Sequence, residues 1–158
     1  MKVYLDTTIS SYAASLKETP ETRVSKKLFS LMKKKELLPY VSFVTLRELK
    51  DTKDIEKRNR LLKTLNSISP NIIRPSKQIR LLATKYVVSG IIPKKYQADA
   101  LHIAAAVVSG VTTVVSWNLK HMVNIFVKRK INSVNITEGY PQVDLITPWE
   151  IIPPDEDE

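Results

Sequence analysis

Cysteine is absent from the 158-residue chain, which excludes disulfides and any zinc site built on thiolates. Histidine is nearly absent too. Two imidazoles leave little for a histidine-based metal centre. No apolar run approaches the ~20 residues that a membrane-spanning helix requires. Residues 1–6 lead directly into a strand-like segment, without the apolar stretch of a signal peptide. Internal repeats are missing, and low complexity is confined to the last few residues. These absences lead us to expect a cytoplasmic protein with no membrane association, whose chemistry would rest on oxygen ligands.

What the chain does hold is positive charge. The net charge is +9, although the last four residues, Asp155, Glu156, Asp157 and Glu158, are all acidic. With that tail set aside, 25 basic side chains face 12 acidic ones, a body charge of +13. A body so basic suits polyanionic partners such as nucleic acid. The hydrophobic fraction of 43% is that of an ordinary globular protein. We expect a single domain over residues 1–152 and a disordered acidic tail over 153–158, where Pro153-Pro154 precedes the acids.

Strand-like runs alternate with helical ones along the chain. Residues 3–5 are a short apolar run ending at Asp6, and residues 9–16 read as a short helix. A linker over 17–22 contains Pro20. Val24, Leu28, Leu31 and Met32 then mark a basic amphipathic helix that runs into Lys33-Lys34-Lys35. Residues 37–42 form a second apolar run, kinked by Pro39. Helices follow over 43–50 and 53–68, and a brief strand or extended link over 71–73. Ile79, Leu82, Ala83, Tyr86 and Val87 mark another helix, stopped by Gly90. The stretch from Gln97 to Val108 is apolar on nearly every side and rich in alanine, the pattern of a buried helix, with Gly110 as its stop. Residues 112–117 are a β-branched strand, 118–121 a turn, 122–130 a basic helix, 143–147 a last strand and 148–152 a helical turn. Short, continuously apolar strands alternating with helices predict an α/β fold, a parallel sheet flanked by helices on both faces.

The informative acids are those outside solvated, lysine-rich company. Asp6 ends the first strand, Glu48 sits between Leu46 and Leu49 after the second, and Asp99 opens the alanine-rich helix. Asn118 adds an amide oxygen just after the strand over 112–117. For Asp99 alone, complementing the positive end of a helix dipole is sufficient reason. Taken together, the four positions share the carboxyl edge of a parallel sheet, where ligands bind in such folds. Carboxylates ~4 Å apart repel by about 4 kcal/mol per pair at an effective dielectric of 20. A divalent cation removes that penalty, and all-oxygen ligands suit Mg²⁺ or Mn²⁺.

The segments Val3-Tyr4-Leu5-Asp6-Thr7-Thr8, Ser42-Phe43-Val44-Thr45-Leu46-Arg47-Glu48, Ala98-Asp99-Ala100-Leu101-His102-Ile103-Ala104-Ala105-Ala106 and Val114-Val115-Ser116-Trp117-Asn118-Leu119-Lys120-His121, in this order, resemble the PIN domain. That family includes many ribonucleases, among them the VapC-type toxins of prokaryotic toxin–antitoxin pairs. The resemblance implies a Mg²⁺- or Mn²⁺-dependent endoribonuclease that hydrolyses RNA phosphodiesters, with Asp6, Glu48 and Asp99 as metal ligands. Asn118 stands at a fourth catalytic position that is commonly Asp. Thr7, Thr8, Lys120 and His121 are the candidate substrate contacts. RNA, an antitoxin protein and a second copy of the chain are the expected partners. His102 and Trp117 read as core residues, His102 hydrogen-bonded.

Three other readings compete. An aspartyl-phosphate phosphatase wants a second acid two residues after Asp6, where Thr8 stands. A phosphorylated receiver domain wants adjacent acids there, and Leu5 precedes Asp6. The third is a catalytically inactive PIN-like RNA-binding or partner-binding domain, which Asn118 in place of an acid keeps open.

Overall fold

The computed structural model describes residues 1–154, so the acidic residues of the expected disordered tail, 155–158, lie outside the described part. The elements run β1 (Lys2–Leu5), α1 (Thr7–Ala13), α2 (Pro20–Lys33), β2 (Leu38–Ser42), α3 (Phe43–Lys50), α4 (Ile55–Asn66) and β3 (Asn71–Ile73). They continue as α5 (Lys77–Val88), a 3-10 turn (Lys94–Tyr96), α6 (Gln97–Val108), β4 (Thr113–Val115), α7 (Ile125–Thr137), β5 (Asp144–Ile146) and a last 3-10 turn (Pro148–Glu150). The five strands form one sheet in the order β3-β2-β1-β4-β5. Every pairing in it is parallel.

The alternation of side chains along β1 explains why helices cover both faces. Val3 and Leu5 point into one core, with Leu28, Leu61 and Leu65 from α2 and α4. Tyr4 points into the other, with Tyr86, Ile103 and Ile131 from α5, α6 and α7. All three β1 side chains are fully buried. A strand covered on both faces has no polar side to show, which is why its sequence is a continuous apolar run. The expected parallel sheet between helical layers is the fold observed. No described helix is long and apolar enough to cross a membrane.

Helix α6 is the packing centre of the second core. Ala104, Ala105 and Ala106 are completely buried, and these small side chains let α5 and the sheet approach its axis. Gly110 ends it with φ +74°. The Gly110 N–H donates to Val107 O and the Val111 N–H to Ala106 O, a Schellman closure that needs a residue tolerant of positive φ.

Local chemistry moves several boundaries from their expected places. Pro20 does not belong to a linker. It is the first residue of α2, behind the Thr19 N-cap, because a proline there sacrifices no helical hydrogen bond. The helix expected over 122–130 starts later, at Ile125, and runs to Thr137, because the Asn124 side chain caps it by accepting from Phe126 N–H. Met122 is instead fully buried in the preceding turn. The strand expected over 112–117 pairs only from Thr113 to Val115. Pro39 fits inside β2 because it sits opposite Val3 one residue before β3 begins to pair, at Tyr40.

The alanine packing of α6 yields a prediction. Ala105→Leu should lower unfolding stability by about 1–3 kcal/mol, the usual cost of overfilling a close-packed core. Urea denaturation checks it, and a variant as stable as wild type would mean α6 does not pack as tightly as described.

Candidate active site

The order of the strands places the site. The winding of the sheet reverses between β1 and β4, and the crevice beyond the carboxyl ends of such a pair is where open parallel sheets bind ligands. Asp6 follows β1 at this point, and Ser116 and Asn118 follow β4. Ser42 ends β2 and α3 follows it, which brings Glu48 to the same edge. Helix α6 enters with Asp99 in its first turn.

Asp6 is 3% exposed and held from three directions. Its Oδ1 accepts Thr8 N–H at 3.1 Å and the Thr8 hydroxyl at 2.5 Å, so it caps α1. Its Oδ2 accepts the Ser116 hydroxyl at 2.5 Å. Burial pushes the Asp6 carboxyl above its ordinary value, against the proximity of His102 and the hydroxyls of Ser116 and Thr8, while the charge of Glu48 adds to the rise.

Glu48 Oε1 accepts the Thr7 hydroxyl at 2.8 Å and lies 2.6 Å from His102 Nε2. Burial disfavours its charge, but the His102 hydrogen bond and the imidazole's proximity, with Thr7 and Arg47 behind them, bring its carboxyl below the ordinary value. His102 Nδ1 in turn lies 2.6 Å from the Tyr4 hydroxyl, which is 2.7 Å from Ser42 Oγ. Ser42 Oγ accepts Val44 N–H and so caps α3. A carboxylate only accepts, so Nε2 carries the proton shared with Glu48. Tyr4 bonds His102 Nδ1 on one side and Ser42 Oγ on the other, so the row runs unbroken from Glu48 to the cap of α3. Buried and complete, this row connects the start of α3 to Glu48 through β1 and α6.

Asp99 and Asn118 form a third group. Asn118 Nδ2 donates to Asp99 Oδ2 at 3.1 Å. Asn118 Oδ1 accepts the backbone N–H groups of Lys120 at 3.3 Å and His121 at 3.0 Å, and so closes the turn after β4. An aspartate at this position would set a second carboxylate against Asp99, whereas the amide supplies a donor. Burial raises the Asp99 carboxyl, partly offset by His102, with Asp6 and Glu48 adding to the rise and His121 opposing it. Asn118 N–H also donates to Ser116 Oγ at 2.9 Å, which links this group to Asp6.

Asp6, Glu48, Asp99 and Asn118 thus stand on one edge: Asp6, Asn118 and Asp99 are joined through Ser116, while Glu48 belongs to the His102 row and acts on Asp6 and Asp99 by its charge. Thr7 and Thr8 face inward, each giving its hydroxyl to an acid. Lys120 is exposed at the rim, and the His121 ring lies against Tyr96 with centroids 4.1 Å apart. Trp117 packs beside Tyr12 and Trp149 and donates from Nε1 to Ser25 at 2.8 Å, a structural placement. The expectation for His102 as a hydrogen-bonded core residue holds, but its position against Glu48 is new. Tyr4, Ser42 and Ser116 are parts of the site that sequence reasoning misses. Local sequence carries no signal for pairings across 98 or 110 residues.

Carboxylate oxygens are the donors a hard divalent cation takes, so the site suits such an ion in kind. In position it is not closed: among the described residues no three His, Asp or Glu side chains are grouped so as to hold a metal ion. The hydroxyls and the imidazole draw Asp6 and Glu48 toward separate partners.

No protein-family model matches the chain, nor does any curated protein. Solved structures do resemble it. A chain of VapBC2 from Rickettsia felis, in a crystal structure bound to a DNA fragment from their promoter, matches with a TM-score of 0.59 at 21% identity, over 93% of this chain and 98% of that one. A chain of VapBC-1 from nontypeable Haemophilus influenzae matches with a TM-score of 0.51 at 22% identity, over 77% of this chain and 90% of that one. The likeness is one of fold, a parallel sheet between helical layers. The chain's fold is the PIN-like α/β fold that the motifs pointed to.

The raised Asp99 carboxyl gives a pH-dependent expectation. A folded state that holds this proton more tightly than the unfolded chain is favoured below the ordinary pKa of 3.8. It is penalised as pH rises through and beyond the folded value. Asp99→Asn keeps the oxygen that Asn118 bonds and removes the charge. In chelator it should raise the melting temperature by a few degrees at neutral pH, and the gain should vanish as the pH falls toward 3.8. A melting temperature equal to wild type across that range would show that Asp99 carries no such strain.

Proposed function

We propose that the protein is a metal-dependent endoribonuclease of VapC type, a hydrolase that cuts RNA phosphodiester bonds. The observation that supports this reading is that Asp6, Glu48 and Asp99 lie along one edge of a PIN-like sheet, near enough that the charges of Asp6 and Glu48 act on Asp99. Asp6, Glu48 and Asp99 would hold Mg²⁺ or Mn²⁺, each turning from its present partners. When bound, such an ion lowers the pKa of a coordinated water and offsets charge on the scissile phosphate.

The chain's own residues supply the rest. Thr7 and His102 set the direction of Glu48, and Thr8 and Ser116 set that of Asp6. Asn118 keeps Asp99 oriented without adding a fourth negative charge to the metal-free site. Lys120 and His121 stand where the backbone of a bound RNA would cross the rim. The body charge of +13 draws the polyanion in, so affinity should fall steeply with salt. On this reading the protein works in the cytoplasm. It is held in check by an antitoxin protein, a partner suggested by the VapBC structures that share its fold. A homodimer is a further expectation.

A second reading has its own support. Asn118 replaces an acid, and the three carboxylates do not close on one point. A PIN-like domain that binds RNA or a partner without cutting would look the same.

Incubation of the purified chain with structured and unstructured RNA, in chelator and in Mn²⁺, separates the two. Cleavage should require the metal. Asp6→Asn should reduce it roughly 100-fold or more, about 2.7 kcal/mol at 1.36 kcal/mol per factor of ten. Asn118→Asp should tighten Mn²⁺ binding and lower the melting temperature of the metal-free protein. RNA binding with no Mn²⁺-dependent product from any substrate would discard the nuclease and leave the binding domain.

A further inference from the structure

Beside the acids, on the far side of α3 and α6, lies a groove of about 670 Å³. One wall carries Phe43 and Arg47 from α3 and another Gln97 and Leu101 from α6, while Arg80 from α5 and Lys94 add positive charge to the lining. Among the described residues no carboxylate lines it. Arg47, Arg80 and Lys94 are all exposed, and among the described residues none of them forms an ion pair. Three unpaired cations around a partly apolar floor make a surface for a ligand that combines spaced negative charges with flat apolar groups.

Helical spacing ties the groove to the acids. On α3, Phe43 and Arg47 are one turn apart on one stripe, and Glu48 lies about 100° further round. On α6, Gln97 and Leu101 share a stripe, and Asp99 and His102 face away from it. Helix α3 therefore shows a cation and an aromatic ring to the groove, and α6 an amide and an apolar side chain, while the two together show carboxylates and an imidazole to the site. Arg47 is near enough to Glu48 to favour its charge, so the two surfaces adjoin along α3.

We propose that this groove is the bed for the single-stranded RNA that flanks the scissile bond. Arg47, Arg80 and Lys94 bind successive phosphates, and unstacked bases lie over Phe43 and Leu101. The proposal deepens the RNA reading above and rests on it, yet it concerns binding, and is tested where cutting cannot occur. Phosphate contacts of this kind position a strand without reading its sequence, and exposed bases add sequence-tolerant apolar contact.

The experiment measures binding of a short labelled single-stranded RNA to the full chain in chelator, over a series of salt concentrations. Arg80→Ala with Lys94→Ala should weaken binding about tenfold. It should also flatten the slope of log K against log salt by about 1.4, at ~0.7 for each phosphate that is no longer neutralised. Lys33→Ala with Lys35→Ala, at the end of α2, removes equal charge from another surface and should change both far less. Equal weakening by the two pairs would reduce the groove to part of a diffuse field and overturn the proposal, as would unchanged binding in the Arg80 and Lys94 pair or no binding by wild type. If that pair instead turned a dimer into a monomer on size exclusion with RNA affinity intact, the groove would hold a second copy of the chain. RNA held in the groove by a protein that never cleaves it, with or without metal, would sink the nuclease and leave this inference standing.

Discussion

The hydrogen bond between His102 and Glu48, 2.6 Å long, is the interaction from which the site is organised. It joins α6 to α3 at the edge of the sheet. Because His102 also meets Tyr4, which meets Ser42, a single buried row fixes β1, the end of β2 and both helices relative to one another. His102 is 2% exposed and Tyr4 and Ser42 are fully buried, so water cannot replace a missing partner. An unsatisfied buried polar group costs about 1–3 kcal/mol. The row therefore specifies a geometry as well as contributing stability, and Glu48 inherits that geometry.

The same row bears on how three carboxylates coexist. Glu48, given an N–H and a hydroxyl, is stabilised as an anion. Asp6 and Asp99 are pushed the other way, chiefly by burial and further by the neighbouring carboxylates. The site is thus graded: one comfortable charge and two strained ones. Serine, threonine and asparagine donors reduce that strain without bringing a positive charge, which keeps the edge attractive to a cation. A lysine in place of Asn118 would neutralise the strain more fully and remove that attraction.

Much of this is legible along the chain, for a physical reason. Phe43–Lys50 and Gln97–Val108 can be read to the residue because a capping serine or a terminating glycine marks an end and apolar spacing marks the body. The acids stand out because each follows a strand end or opens a buried helix, places where an unpartnered charge is costly. Boundaries set by one side chain's local bond are not readable in the same way. Asn124 capping α7 and Pro20 opening α2 each displace an element by a few residues. Pairings across the sheet are invisible, since nothing near Tyr4 in the sequence announces His102, and nothing near Asp6 announces Ser116.

A helix with 3.6 residues per turn offers a second surface about 100° from the first, and α3 and α6 use both. The residue after Arg47 is Glu48, and Asp99 and His102 lie on the opposite side of α6 from Gln97 and Leu101. Arg47 and Glu48 so set opposite charges on neighbouring faces of α3, and Arg80 and Lys94 add to the positive side. A polyanion would be drawn to Arg47, Arg80 and Lys94 and repelled by the carboxylates, unless a cation sat among them. If RNA lies in the groove and a cation among the acids, as proposed, the two would be coupled by charge alone, with no moving part: each would remove repulsion that the other meets.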